Sequence, residues 1–328
     1  MGGVFAMWRD LTHVTCSKGG LHFITAKKED EDISGVEDVN PTRNNTNVFL
    51  VDTGCSSHPT YRAWCAVESW ARQNPDLDVW FILTSLTMDD STGLASLLLH
   101  RYTNLRVVGV DLDLLFQGTP LLEFFMSRKW TVNNTWPKNV LSNMVRVVVL
   151  WRWGGIYSDN DVISVRTYTL PLNAVGVANP GQLGNGFLSF SSHHPILWSL
   201  MGNMKRGFIP GQWGSTGIHP LTRVMMEACG TDDAMSLMKQ LPFSCANVTI
   251  YSQSYFSPFD FMDPVLNFKS DGKKEFDKAM NVSYSIHLYN IITKWSVVTV
   301  GRNSIYEITA KNFCPLTYSR ASMHSNFF

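Results

Sequence analysis

The stretch NVFLVDT, residues 47–53, is short and apolar, and similar segments follow at DVWFILTS, residues 78–85, and LRVVGVDL, residues 105–112. Each is apolar throughout rather than alternating, which is typical of strands that are covered on both faces. Between the first two, residues 61–73 carry apolar side chains at helical spacing. This alternation predicts an α/β fold with a mostly parallel sheet flanked by helices, and ligands of such sheets bind at the carboxyl ends of strands.

Further elements are predicted along the rest of the chain, and the second half is less regular than the first. Helical patterns occur at residues 93–102, 121–128, 140–153, 196–206, 220–229 and 303–312. Strand-like runs occur at residues 174–180, 186–192, 248–256 and 284–290. The glycine-rich fingerprint of dinucleotide-binding sheets does not follow the first strand, so a nicotinamide cofactor is not expected.

Composition excludes several classes of function. The 328 residues contain 45% hydrophobic but only 16% charged residues, and Lys and Arg together equal Asp and Glu at 27 each. Because no excess of positive charge is present, nucleic acid is not expected as a partner. Uninterrupted apolar runs stay well short of about 18 residues, so no membrane-spanning helix is predicted. Residues 1–46 are predicted to form a flexible, stem-like segment, since residues 27–46 are polar and acid-rich.

The six cysteines contain no C-x-x-C pair, which argues against zinc and thioredoxin-like sites. Two pairs are close enough in sequence to close short loops, Cys55 with Cys65 and Cys229 with Cys245. In an oxidising compartment we expect both to form disulfides.

Two carboxylates stand out in GGIYSDNDVISV, residues 154–165. If the chain is extended there, Asp159 and Asp161 point to the same side and can face one ligand. Such oxygen donors suit Mg²⁺ or Mn²⁺, which leave coordination positions for substrate phosphates. Gly154 and Gly155 are expected to end the preceding helix and to let the backbone approach a ligand. A solvated turn is the alternative interpretation of the same residues.

The context of the carboxylates resembles a known region. LSNMVRVVVLWRWGGIYSDNDVISV, residues 141–165, is similar to the glycosyltransferase sugar-binding region with a DXD motif, in which an L-S-D-x-x-R helix precedes G-G-I-Y-x-D-x-D. Around it, CAVESWARQNP, LDLLFQGTPL, NGFLSF, LTRV, IHLYN and FCP follow in the order of the alpha-1,4-glycosyltransferase family. The likeness covers roughly residues 47–316.

This resemblance implies a GT-A fold, with a nucleotide-sugar-binding region at 47–195 and an irregular acceptor-side region at 196–328 of the same unit. It implies retaining α1,4 transfer of galactose or an N-acetylhexosamine from a UDP-sugar to a glycosphingolipid or glycan, assisted by Mn²⁺ or Mg²⁺. Family members are Golgi proteins with an N-terminal anchor, so membrane association is expected, although no anchor is visible in this sequence.

The resemblance also assigns roles to individual residues. Asp159 and Asp161 are the implied catalytic residues and, together with His287, the implied metal ligands. The donor is expected to contact five residues: Asn143, Arg146, Tyr157, Asn185 and Gly186.

The chain departs from the family pattern at several positions. Asn143 replaces the Asp of L-S-D, Ser158 replaces a usual Leu, and the basic residue expected after Asn290 is either missing or moved to Lys294. These departures leave open a catalytically weak relative that binds nucleotide or glycan. An α/β enzyme that hydrolyses phosphate esters with a metal is the second alternative.

Overall fold

A computed structural model describes residues 21–23, 40–54, 56–85 and 88–324. Most of the predicted stem, residues 1–46, therefore lies outside the described residues. The elements up to residue 164 are β1 (Leu21–Phe23), β2 (Asn47–Asp52), α1 (Tyr61–Gln73), β3 (Asp78–Leu83), α2 (Leu94–Arg101), β4 (Leu105–Val110), α3 (Leu112–Phe116), α4 (Leu122–Met126), α5 (Pro137–Trp153), β5 (Gly155–Ser158) and β6 (Val162–Ser164).

The remaining elements are β7 (Ala174–Asn179), β8 (Gln182–Phe190), α6 (Pro195–Gly207), α7 (Ile218–Ala228), β9 (Phe243–Cys245), β10 (Val248–Tyr251), α8 (Gln253–Phe256), α9 (Lys273–Met280), β11 (Ser285–His287), α10 (Asn290–Thr293), α11 (Ile305–Phe313) and α12 (Pro315–His324). Two 3₁₀ turns lie at Ala234–Met238 and Pro264–Phe268.

The described strands form one nine-stranded sheet and one two-stranded sheet. The large sheet has the order β1-β4-β3-β2-β5-β8-β7-β10-β9. Its body, β4-β3-β2-β5, is parallel, as is the pair β7-β10, while β8 runs antiparallel to both neighbours. The small sheet pairs β6 with β11. The predicted α/β fold with a parallel sheet flanked by helices is confirmed.

The parallel body is buried on both faces, as its continuous apolar strands predict. Phe49 and Ile82 pack on one face with α5, and Leu50 and Phe81 pack on the other with α1. The strands therefore stay fixed while the loops at their carboxyl ends are free to carry functional side chains.

Element bounds agree best with prediction where periodicity is strong. Helix α1 has the predicted bounds, and its N-cap Thr60 accepts a hydrogen bond from the backbone N–H of Ala63. Helix α5 begins three residues before the predicted start, because Pro137 is suited to the first helical turn. The prediction of a single strand at residues 248–256 is wrong, since β10 ends at Tyr251 and a short helix follows.

Gly154 and Gly155 end α5 as predicted, but for a reason different from ligand approach. Both have positive φ, 69° and 114°. A Cβ on Gly154 would lie 2.1 Å from Oδ1 of Asn45, and one on Gly155 would lie 2.2 Å from the carbonyl oxygen of Asn47. The close approach is therefore between segments of this chain, which lets β5 pair beside β2.

The disulfides confirm one predicted pair and contradict the other. Cys229 is bonded to Cys245, as expected. Cys65 is bonded to Cys314, across 249 residues, so the predicted Cys55–Cys65 bond is wrong. Cys65 lies on the face of α1 that packs against the C-terminal helices, which sequence spacing does not reveal. Cys55 lies outside the described residues. No helix in the described part of the chain has the length and apolar character needed to span a bilayer.

Candidate functional site

A cavity of about 540 Å³ opens at the carboxyl end of β2, where Asp52, Thr53 and Gly54 line it. Its lining includes seven of the eight residues that were predicted from sequence: Asn143, Arg146, Asp159, Asp161, Asn185, Gly186 and His287. The eighth, Tyr157, is fully buried directly beneath Asp159. The structure thus brings the predicted residues together from four separate parts of the chain.

The two carboxylates lie in a turn and not on a strand. Residues 159–161 connect β5 to β6, and the N–H of Val162 donates to the carbonyl oxygen of Asp159 at 3.0 Å. The predicted extended conformation is therefore wrong at this point. Asp159 and Asp161 nevertheless face the same cavity, because the turn places both side chains inside the bend.

His287 reaches Asp161 through the two-stranded sheet. β11 pairs antiparallel with β6, with His287 opposite Val162, and its Nε2 lies 3.3 Å from Oδ1 of Asp161. One potential ligand atom each from Asp159, Asp161 and His287 lies within 4.8 Å of the others. We call these three residues the carboxylate–histidine cluster.

This cluster has the donor set that suits a divalent cation, two carboxylates and one imidazole. Gly186 faces it closely: a Cβ there would lie 3.0 Å from Oδ2 of Asp159 and 3.1 Å from Cε1 of His287. A side chain at position 186 would therefore crowd the ligand atoms, and glycine leaves them accessible. The residues present fit a metal ion.

The pKa values of the two carboxylates are shifted in opposite directions. Burial would raise the pKa of Asp161, but His287 and the N–H of Asn290, at 2.6 Å, outweigh it and hold that pKa below its usual value. Burial alone would lower the pKa of His287, but the negative charges of Asp161 and Asp159 have the larger effect and raise that pKa. Asp161 therefore stays ionised, which is the form that binds a cation.

Asp159 is held by two partners, Tyr157 and Arg146. Its Oδ1 accepts a hydrogen bond of 2.7 Å from the hydroxyl of Tyr157 and lies 3.0 Å from the guanidinium of Arg146. Burial raises the pKa of Asp159, while Arg146 opposes that rise. These contacts occupy Oδ1 and leave Oδ2 directed toward Gly186 and His287.

Arg146 is buried, and most of the N–H donors of its guanidinium bond to other groups of the protein. Its Nε donates to the carbonyl oxygen of Ser142 at 3.3 Å, and its terminal nitrogens bond to Ser142 Oγ, Asp159 and the carbonyl oxygen of Asn185. The guanidinium also lies 4.5 Å above the ring of Tyr157. Arg146 therefore positions Asp159 and the loop around Asn185, and a direct contact with a ligand stays a prediction.

A second, uncharged group lies beside this pair. Asn185 donates from Nδ2 to Oδ1 of Asn143 at 2.9 Å, and Asn143 donates from Nδ2 to Oγ1 of Thr216 at 3.1 Å. We call Asn143, Asn185 and Thr216 the amide cluster. Gly217 packs on it, since a Cβ there would lie 2.6 Å from Nδ2 of Asn185. The cluster presents neutral donors and acceptors to the cavity, which suit hydroxyl groups.

Sequence reasoning missed Arg62, which supports the site from behind. It is buried, donates to Oδ1 of Asn290 at 3.0 Å and to the carbonyl oxygen of Thr293 at 2.9 Å, and also bonds to the carbonyl of Ser296. Asn290 in turn donates its backbone N–H to Asp161. No local pattern in α1 signals this role, because the partners are more than 200 residues away.

The departure at Ser158 has a structural reason. Its hydroxyl accepts a hydrogen bond of 2.9 Å from the indole N–H of Trp70 in the core between α1 and β5. A Leu there would leave this buried donor with one partner fewer. Lys294, the basic residue that follows Asn290 most closely, lines the cavity.

Two regions of the chain match models of known families. Residues 60–179 match the glycosyltransferase sugar-binding region containing the DXD motif. Residues 189–321 match the alpha 1,4-glycosyltransferase conserved region. The first match contains the turn with Asp159 and Asp161, and the second contains His287.

Individual relatives agree with these matches. An alpha-1,4-N-acetylglucosaminyltransferase from Homo sapiens is 26% identical over 277 residues, which are 83% of this chain and 79% of the relative. A lactosylceramide 4-alpha-galactosyltransferase from Mus musculus is 26% identical over 283 residues, 85% of this chain and 77% of the relative.

Two of the solved structures that match the chain do so at low sequence identity. The bifunctional glycosyltransferase WbbM is 10% identical and matches 88% of this chain and 54% of its own, with a TM-score of 0.48. An active-site mutant of LgtC is 12% identical and matches 83% of this chain and 95% of its own, with a TM-score of 0.40.

Proposed function

From these two matches we propose that this chain is an alpha-1,4-glycosyltransferase that moves galactose or an N-acetylhexosamine from a UDP-sugar to a hydroxyl of a glycolipid or glycan, forming an α1,4 linkage with retention. The named relatives use lactosylceramide or transfer N-acetylglucosamine, which supports these two donor sugars and this class of acceptor.

The observation that carries this proposal is the meeting of two chemically different groups in one cavity. The carboxylate–histidine cluster offers charged ligands for a cation, and the amide cluster offers neutral partners for hydroxyl groups. A nucleotide sugar needs both, because its diphosphate carries negative charge and its sugar carries hydroxyls.

In the proposed reaction, the bond between C1 of the donor sugar and the diphosphate oxygen breaks, and its electron pair leaves with UDP. A bond forms between C1 and the acceptor hydroxyl oxygen on the same face of the sugar. The hydroxyl proton passes to the departing phosphate oxygen. The protein's contribution is then chiefly positioning and electrostatic stabilisation.

Asp159, Asp161 and His287 would hold Mn²⁺ or Mg²⁺, and the chemistry such an ion supplies when bound is positive charge that offsets the charge developing on the diphosphate. Arg146 keeps Asp159 oriented, and the N–H of Asn290 keeps Asp161 oriented. Asn143 and Asn185 would orient sugar or ribose hydroxyls, replacing part of their present mutual hydrogen bonding.

We place this activity in the Golgi lumen, at the membrane. The Cys65–Cys314 and Cys229–Cys245 bonds support an oxidising compartment, where structural disulfides persist. Mapping of non-reduced peptides from protein isolated from secretory membranes should recover both linkages. Free thiols at these positions in such protein would argue against that location.

The test is a transfer assay with purified protein, with UDP-galactose, UDP-N-acetylglucosamine and UDP-N-acetylgalactosamine as donors. Lactose, N-acetyllactosamine and lactosylceramide in detergent serve as acceptors, each with Mn²⁺, with Mg²⁺ and with chelator. We expect metal-dependent product with one of these donors, and NMR of the product identifies the anomer and the linkage.

Three results would contradict the proposal in different ways. A β-linked product would contradict transfer with retention, and full activity in the presence of chelator would contradict the requirement for a metal ion. Binding of UDP without transfer or donor hydrolysis would identify the chain as a nucleotide-binding relative without turnover. Asp161→Ala serves as the inactive reference in every assay.

A further inference from the structure

One wall of the cavity is a series of aromatic rings that begins at the metal-ligand candidate. The rings of His287 and Tyr289 stack with centroids 4.1 Å apart, and the ring of Phe261 meets Tyr289 edge-on at 5.4 Å. Trp213 stacks on Phe261 at 5.9 Å with the planes 23° apart. All four residues line the cavity. We call Trp213, Phe261 and Tyr289 the aromatic wall.

The outer end of the aromatic wall is exposed to solvent inside a ligand cavity. Trp213 is 40% exposed although Phe261 covers part of its ring. Exposure alone is not informative, because Trp198 is 45% exposed on α6, where it packs against Trp151 and does not line the cavity. Trp213 differs in combining an accessible indole with a place in the cleft, and such rings are large, rigid contact surfaces for ligands.

We propose that Trp213 and Phe261 form the platform on which the acceptor sugar binds, an inference that rests on the proposed transferase function. A pyranose has a face of C–H groups, and an aromatic ring presents a negative face to such hydrogens while burying apolar area. Gln212 and Lys294 line the same cavity and offer polar partners for the hydroxyls at the sugar's edge.

The platform is connected to both groups that would hold the donor. Through Tyr289 it adjoins His287 of the carboxylate–histidine cluster. Along the chain, Trp213 leads within four residues to Thr216, which bonds to Asn143, and to Gly217, which packs on the amide cluster. A sugar on the platform therefore adjoins the donor sugar, which is the position an acceptor must occupy.

The nucleotide has a different place in the same cavity. In α/β sheets, nucleotides bind at the carboxyl ends of parallel strands, and here Asp52, Thr53 and Gly54 follow β2 into the cavity. Trp213 and Phe261 come instead from loops after α6 and α8. The aromatic wall is thus left for the second substrate.

The test compares Trp213→Ala with Trp213→Phe and with Trp198→Ala, a similarly exposed tryptophan outside the cavity. Initial rates are measured with lactose varied at saturating donor, and UDP affinity is measured by calorimetry with Mn²⁺. Losing a stacked ring should raise the acceptor KM about 10-fold. Trp213→Phe should recover most of that loss, Trp198→Ala should match the wild type, and UDP affinity should stay within about twofold in all three.

Two results would overturn the inference. If the acceptor KM of Trp213→Ala equals that of the wild type, Trp213 does not bind the acceptor sugar. If Trp213→Ala loses UDP affinity, Trp213 contacts the nucleotide instead. If the wild type transfers no sugar, the proposed function fails, and the platform is then decided by NMR saturation transfer from protein to lactose. That signal should be present in the wild type and in Trp198→Ala, and absent in Trp213→Ala. Equal signals in all of them would contradict the platform.

Discussion

The two clusters that line the cavity are built in opposite ways. In the carboxylate–histidine cluster the carboxylates Asp159 and Asp161 are neighbours in one turn, and Arg146, Tyr157 and Asn290 hold them. The amide cluster is neutral, and its three residues come from α5, β8 and the loop before α7. Asn143, Asn185 and Thr216 bond chiefly to one another.

This difference indicates where the site tolerates change. Buried charges are costly unless every partner is in place, so a substitution at the carboxylate–histidine cluster should affect turnover strongly. Neutral amides can exchange one hydrogen bond for another at low cost, so a substitution in the amide cluster should have a smaller effect. Asn143, which replaces a family Asp, lies at this tolerant end.

The largest effect on activity is expected for Asp161→Ala. Removing a ligand of the carboxylate–histidine cluster should lower kcat at least about 10³-fold, which corresponds to about 4 kcal/mol of lost transition-state stabilisation. Calorimetry should show weakened Mn²⁺ binding, and circular dichroism should show an unchanged fold. Asp277→Ala, an exposed acidic residue paired with Lys273 on α9, is the control. Near-wild-type activity of Asp161→Ala at buffered Mn²⁺ would show that Asp161 is not a metal ligand.

Removal of the Cys65–Cys314 bond should lower the free energy of unfolding more than removal of the Cys229–Cys245 bond. This bond ties α1, which carries Arg62, to the C-terminal helices, and its loss should cost about 5 kcal/mol of unfolding free energy because it closes a long loop. The Cys229–Cys245 bond closes a much shorter loop and should cost about 3 kcal/mol. Denaturant unfolding of the two double alanine variants measures both. A larger loss for the Cys229–Cys245 variant would contradict this ranking.

Arg62→Met tests whether the carboxylate–histidine cluster depends on support from α1. The change leaves the carbonyls of Thr293 and Ser296 without this donor and loosens the segment whose Asn290 N–H bonds to Asp161. We expect a loss of about 2–3 kcal/mol in stability and a lower kcat with a small change in donor KM. Arg152→Met, which removes a guanidinium bonded to backbone carbonyls outside the cavity, is the control. Equal kcat values for both variants would show that Arg62 acts on stability alone.

Asn143→Asp should have the smallest effect, about 1 kcal/mol, and it should appear in donor binding. A carboxylate accepts stronger hydrogen bonds from hydroxyls than an amide does, but it adds negative charge near the diphosphate. These two effects oppose each other, so they do not fix the sign of the change. Both act on groups of the donor, so donor KM or donor selectivity should change while acceptor KM does not. Calorimetry with UDP and with each UDP-sugar, at saturating Mn²⁺, measures the change. Unchanged affinities for all donors would place Asn143 outside the donor site.

Sequence patterns predicted the parallel body of the sheet well and the second half less well. Strands β2, β3 and β4 are continuous apolar runs and helix α1 is strongly periodic, so local sequence was sufficient for them. The helix α12 was missed, and the run at 248–256 was predicted as one strand because its β-branched and aromatic residues outweighed the helix start at Ser252. The division at residue 195 stays a prediction, although His287 from the second region meets Asp161 from the first.

Local sequence patterns carry the class of fold, the resemblance to the alpha-1,4-glycosyltransferase family and the pair of neighbouring carboxylates, Asp159 and Asp161. Those features rest on local order: strand runs, helix periodicity, and two carboxylates two positions apart. Tertiary structure alone decided that Cys65 bonds to Cys314, that Arg62 supports Asn290, and that Trp213 lies in the cleft. The physical reason is that these contacts join segments far apart in the chain, whose meeting depends on how the whole sheet and its helices pack rather than on any local pattern.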